Sequence, residues 1–173
     1  MLRPVLRRLV PFALLLALAV PAAAAERTSL VVLDAEVEGD LSDTSRRGEW
    51  DARAALLTRA LKDGLNADGL YRVLDDSAAA DLLARLRTRR EVHACEACLV
   101  EVAERLGGER VLSAWVFRMS ALILTLHVEI RDGKSGAVLI RKILDFRGDN
   151  DTAWLRAANY FVRWLRDDTP ALR

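Results

Sequence analysis

The chain has 173 residues, 52% of them hydrophobic and 29% charged, with a formal net charge of +1. That length suits one domain with a core of its own. The near-balance of charge excludes the strong basic excess expected of a nucleic-acid binder.

Residues 1–25 read as a secretory signal peptide. Arg3, Arg7 and Arg8 form a basic start, an apolar run follows from Leu9 to Val20, and the small residues of Pro21–Ala25 suit cleavage after Ala25. The apolar run is about a dozen residues, against roughly 20 needed to cross a bilayer. No cysteine stands near the cleavage site to carry a lipid. The expectation is export to the periplasm, no stable membrane anchor after cleavage, and a mature domain over 26–173. The leader holds three arginines and no acid, so that domain carries −2. Pro170 is the only proline outside the leader, and no linker, repeat or low-complexity stretch suggests a second domain.

Ser29 to Val37 is β-rich and predicts a buried first strand, followed by a polar loop from Glu38 to Gly48. Trp50 to Leu65 carries Leu57, Ala60, Leu61 and Leu65 at helical spacing. Leu70 to Leu74 predicts a short strand, and Ser77 a cap for a helix running to about Arg89. The arginines of that helix, Arg85, Arg87, Arg89 and Arg90, read as a solvated basic face.

From Cys95 the apolar residues Cys98, Leu99, Val102, Ala103 and Leu106 continue one helical stripe, which Gly107-Gly108 ends. Val111 to Arg118 is apolar on both faces and predicts a central strand. Ala121 to Arg131 alternates, with Leu122, Leu124, Leu126, Val128 and Ile130 expected inward and Thr125, His127 and Glu129 outward. Asp132–Gly136 predicts a hairpin turn, and Ala137 to Phe146 the last strand. A final helix follows, capped by Asn150 or Asp151, with Trp154, Ala158, Phe161 and Leu165 toward the core. The order β-α-β-α-α-β-β-β-α predicts a single α/β (α+β) domain: a mixed sheet, parallel early and antiparallel late, with helices packed on it.

Three stretches together resemble a known group of proteins: Val32-Leu33-Asp34; Cys95-Glu96-Ala97-Cys98 leading through Ala103–Gly108 into the strand from Val111; and Ser120–Leu124 with Arg147–Trp154. The set is similar to an uncharacterised family of exported proteobacterial proteins, a domain of unknown function. More remotely it resembles the amino-terminal α/β domain of the Tol–Pal translocation protein and the curli-secretion lipoprotein. The resemblance implies a role in assembly and protein contact, not catalysis.

Cys95 and Cys98 are the first chemical candidates. In an exported chain, cysteines three apart at a helix start can close a disulfide that pins that helix. The same pair, with an exposed sulfur of low pKa, would support thiol–disulfide exchange. Together with His93 it offers three ligands for Cu(I) or Zn, with His127 or Met119 as a fourth approaching in space. On its own, His93 reads as a surface or capping residue. Leu99, not a histidine, stands directly after Cys98, which excludes covalent c-type haem attachment.

The acids Asp34, Glu36, Glu38, Asp40 and Asp43 are the second candidate. Asp34 and Glu36 lie where the first strand ends, the place where open α/β sheets meet ligands, although a run of acids also reads as a solvated loop. Arg147-Gly148-Asp149 matches an adhesion tripeptide but more simply turns a strand into the last helix. Tyr160 and Trp164 are candidates for a partner surface. No phosphate loop, Ser-His-Asp set or zinc-protease motif is present. The expected function is a non-catalytic periplasmic accessory or binding module, without cofactor, acting through a partner protein or small ligand. A redox protein using Cys95 and Cys98, and a metal carrier using His93 and both sulfurs, are the alternatives.

Overall fold

The computed structural model describes residues 26–88 and 91–168. Its strands are β1 (Ser29–Val32), β2 (Glu36–Gly39), β3 (Arg72–Val73), β4 (Arg110–Arg118), β5 (Ile123–Asp132) and β6 (Val138–Arg147). Its α-helices are α1 (Arg47–Ala67), α2 (Ala80–Arg87), α3 (Glu96–Leu106) and α4 (Asp151–Asp168). Single 3-10 turns stand at Thr44–Arg46, Ser77–Ala79 and Val92–Ala94. The expected signal peptide over 1–25, Arg89, Arg90 and Pro170 lie outside the described residues.

The six strands form one mixed sheet in the order β3-β1-β4-β5-β6, with β2 also paired to β4. β1 lies parallel to β3 and β4, and the β4–β5–β6 meander is antiparallel. This is the expected α/β domain with one refinement. The predicted first strand divides in two, because the chain jogs outward at Leu33-Asp34-Ala35 before β2 rejoins β4 opposite Trp115. Thr58 of α1 holds the jog. Its buried hydroxyl accepts the Ala35 N–H at 2.9 Å and donates to the Ala54 carbonyl at 2.9 Å.

The sheet's two faces are dressed unequally. The first is closed by α1 and α4. Trp50, Ala54, Leu57, Leu61 and Leu65 of α1 and Trp154, Ala158, Phe161 and Leu165 of α4 pack on Leu124, Leu126, Val128 and Ile130 of β5. Each such large side chain stabilises the fold by roughly 1.5–3 kcal/mol when fully buried, so this layer dominates stability. Gly64 lets the helices approach: a Cβ there would stand 3.0 Å from a methyl of Val162.

The opposite face is covered only by the short α2 and α3. Leu82, Leu83 and Leu86 of α2 and Cys98, Leu99, Val102 and Ala103 of α3 pack on Val31, Leu33 and Val111. Gly107, in the left-handed region at φ 67°, stops α3, and Gly108 N–H returns to the Ala103 carbonyl. The rest of that face, from the second half of β4 across β5 and β6, has no helix over it.

Three expectations are corrected here. Leu122 is 58% exposed because β5 begins one residue later, where the Ser120 hydroxyl accepts the N–H groups of Leu122 and Ile123. Glu129 does point away from the α1–α4 core, but it is buried, held by Arg131 and Arg141 at 2.6 Å each. Ser77 does not cap α2; it opens a 3-10 turn in which Asp75 accepts its N–H, and α2 starts at Ala80.

Candidate functional site

Cys95 and Cys98 form a disulfide across the first turn of α3, with Cα atoms 5.2 Å apart. Cys98 is buried beside Leu99, and Cys95, at the helix N-cap, is half-buried and packs against the same cluster. The sulfurs engage each other, and His93 faces away toward β2. The His93–Cys95–Cys98 trio is therefore not assembled as a ligand set, and among the described residues no group of three His, Cys, Asp or Glu is placed to hold a metal.

His93 is not a surface or capping residue. Its side chain is 12% exposed and clamped between acids. Nδ1 lies 2.7 Å from Glu36 Oε2, and Nε2 lies 3.4 Å from Glu38 Oε1. Glu36 also accepts the backbone N–H groups of Val92 and His93, both at 2.9 Å. Strand period places Glu36 and Glu38 on one face of β2, two residues apart. That alternation is the signal in the sequence that could have marked them as a pair.

Behind the clamp, the His93 ring stacks on Trp115 at 4.0 Å, and Trp115 stacks on His127 at 4.8 Å. Trp115 and His127 are direct partners in the β4–β5 register, and Glu36 is the partner of Trp115 from β2. A row of side chains thus crosses the sheet from the disulfide-bearing loop to β5.

The charges follow from this geometry. Burial opposes ionisation of His93, but the Glu36 hydrogen bond and the negative charges of Glu38, Glu36 and Glu91 outweigh it and hold its pKa above the ordinary value. Burial also opposes the Glu36 carboxylate, and the hydrogen bonds from His93 and Val92 outweigh it, so its pKa lies below the ordinary value. For Glu38 burial prevails and the pKa is raised. His127 is lowered, first by burial and then by the charge of His93.

Asp34 lies apart from this clamp. It is half exposed, and its carboxylate meets Arg87 of α2 at 2.6 Å. Asp34, Glu36, Arg87 and His93 nevertheless line a common cleft of about 520 Å³ between α1, α2 and the end of β1. Asp40 accepts from Ser42 and stands 3.5 Å from Arg118, and Asp43 caps the 3-10 turn before α1 through Ser45. Asp149 is buried at 3% and accepts from the Trp50 and Trp154 indoles and from Arg118 and Arg53, so its tripeptide is a structural turn. Trp164 packs against the core with Lys142 over its ring, while Tyr160 stays exposed.

The helix-free half of the second face is the remaining site-sized feature. Of the eight exposed large hydrophobics among the described residues, seven lie on the β4–β5–β6 meander: Phe117, Met119, Leu122, Ile123, Val138, Leu139 and Ile143. Trp115 and His127 belong to the same face. Sequence reasoning missed this surface because apolar residues on both faces of β4 read as a strand covered on both sides, whereas Phe117 at its end is open.

A family profile described as "Protein of unknown function (DUF2380)" matches residues 28–165. The chain belongs to this family. No curated protein matches the sequence of this DUF2380 member. Among solved structures it is similar to Escherichia coli LpoB, at 14% identity and a TM-score of 0.51, over 69% of this chain and 57% of that one. The chain thus spans a little over half the length of LpoB. It is also similar to TolB of Acinetobacter baumannii (10% identity, TM-score 0.47, 81% of this chain and 28% of that one). A third neighbour is a lipoprotein of Neisseria meningitidis (16% identity, TM-score 0.45, 82% and 99%). At these identities the LpoB likeness shows a shared fold.

Proposed function

We propose that this protein is a non-catalytic periplasmic module, exported by the 1–25 signal and cleaved after Ala25, that docks a partner protein on the helix-free half of its sheet. One observation carries the reading. Large apolar side chains are gathered on the meander, with Phe117 40% and Ile143 53% exposed, on a face whose other half is helix-covered. Contiguous exposed apolar surface is what a soluble domain keeps for a contact. Arg131 and Arg141 are paired with Glu129 on this face, and Glu36 and Glu38 border Trp115 and Phe117, so the surface presents no excess of either charge. A fitting partner brings an apolar centre and a mixed polar rim. In this reading the Cys95–Cys98 bond is scaffold that pins the first turn of α3.

The test is a photocrosslinking amino acid at Ile143 or at Tyr160, in the exporting cell. The expected result is one discrete adduct from Ile143, lost when Phe117→Asp is added, and none from Tyr160. Matching adducts at both positions, or an Ile143 adduct indifferent to Phe117→Asp, overturn the proposal. An adduct of twice the chain's mass overturns the assignment of a different protein as partner.

A further inference from the structure

The connections of the sheet change side at β1. From β1 the chain runs through β2, alongside β4, and then crosses through α1 to β3 on the other flank of β1, before it returns through α2 and α3 to β4. α1 packs on one face of the sheet and α2 and α3 on the opposite face. The connections that leave the carboxyl ends of the parallel neighbours β1 and β3 thus run to opposite faces, and small molecules bind in open α/β sheets near the carboxyl end of such a strand, here β1.

A crevice opens there and has a floor. The β1–β4 pairing ends at Val32 opposite Leu112, and β2 does not rejoin β4 until Trp115. Ser113 and Ala114 have no ladder partner from β1 or β2 and lie buried at the base of the 520 Å³ cleft, a volume within the roughly 300–1,000 Å³ of small-molecule sites. Ala54 and Ala55 of α1 form one wall and Leu83 and Leu86 of α2 the other.

The polar groups are few. Ser113 is 2% exposed, and among the described residues its hydroxyl has no hydrogen-bond partner. A buried hydroxyl left unmet is costly, and a ligand group that reaches it recovers that cost. Of the charged lining residues, Asp34 is paired with Arg87 and Glu36 with His93. Asp51, at the α1 wall, has no ion pair among the described residues, so the lining carries one unbalanced negative charge.

We infer that this crevice binds a compact apolar molecule bearing a cationic amine and one hydrogen-bonding group, the apolar body between α1 and α2, the polar group on Ser113 and the amine toward Asp51. The inference goes beyond protein docking, and the crevice shares no apolar residue with the surface named for it. Each therefore stands or falls separately.

The probes are tyramine, 2-phenylethylamine (no hydroxyl) and 4-hydroxyphenylacetate (carboxylate for amine), titrated at millimolar concentration into isotope-labelled exported protein while amide shifts are followed. Tyramine gives saturable shifts at Leu33, Leu83 and Ser113, about fivefold or more tighter than 2-phenylethylamine, and 4-hydroxyphenylacetate gives none. Ser113→Ala brings tyramine down to the level of 2-phenylethylamine. Ala55→Trp, at an exposed wall position, abolishes binding without unfolding the chain. Unsaturable shifts, shifts centred elsewhere, or tyramine binding unchanged by Ala55→Trp overturn the site. Preference for the carboxylate overturns the ligand class.

Discussion

The imidazole of His93 stands 2.7 Å from the Glu36 carboxylate, and its far nitrogen is 3.4 Å from Glu38. Glu36 is hydrogen-bonded to the ring and Glu38 adds a second negative charge beside it, so the clamp favours the imidazolium. Trp115 carries this charge on one side and His127 on the other.

The two histidines therefore tilt stability in opposite directions with pH. The folded-state pKa of His93 is raised above its ordinary 6.5. Its contribution is full below that value and is lost as pH rises through the folded pKa. His127 is lowered from 6.5. The unfolded chain takes up that proton first, so stability falls as pH drops below 6.5. Urea titrations across this range should show a maximum near 6.5. His93→Gln removes the decline on the alkaline side, and His127→Gln removes the decline on the acid side. A profile that neither variant changes contradicts the clamp.

Asp149→Ala removes the acceptor of two tryptophan indoles and the nearer, buried carboxylate partner of Arg118, leaving it only the exposed Asp40. Removing one partner of a buried pair costs about 3–5 kcal/mol, and a loss near 3 kcal/mol in chemical denaturation is expected. A loss under about 1 kcal/mol, the size of an exposed pair, contradicts this reading of Asp149.

Thr58→Val keeps the shape of the side chain and deletes the acceptor of the buried Ala35 N–H. The expected cost is about 1–3 kcal/mol. Because Thr58 pins the jog, amide exchange at Ala35 and Glu36 should quicken more than at Val31. Uniform quickening would mean that Thr58 supports the fold as a whole and not the jog.

The Cys95–Cys98 bond closes a very short loop, for which chain entropy predicts about 2 kcal/mol. Reduction, or the double change Cys95→Ser with Cys98→Ser, should lower stability by no more than that and leave the circular dichroism spectrum unchanged. Turnover of a disulfide substrate by the native protein, abolished by Cys95→Ser, would instead make the pair a redox centre.

The helices and the meander were legible because their signals are local. Periodicity alone places Leu57, Leu61 and Leu65 on one face of α1 and Leu99, Val102 and Ala103 on one face of α3. The division of the first strand was not legible, since it depends on a threonine 23 residues away. Burial of Glu129 and Asp149 was hidden for the same reason: a charge reads as solvated until its arginines are brought beside it by pairing that sequence spacing does not reveal. Cys95 and Cys98 were legible as a pair, but the two acids and the stacked rings around His93 come from three strands and assemble only in the fold.

β1 pairs with β4, whose residues follow it by about eighty positions, Leu30 opposite Arg110. A chain delivered amino end first must keep this strand waiting while α1, β3, α2 and α3 go by. Long-range parallel pairing is slow to form, and the central ladder cannot begin before roughly two-thirds of the polypeptide has arrived. Vectorial synthesis thus favours a late, concerted collapse of this half of the sheet.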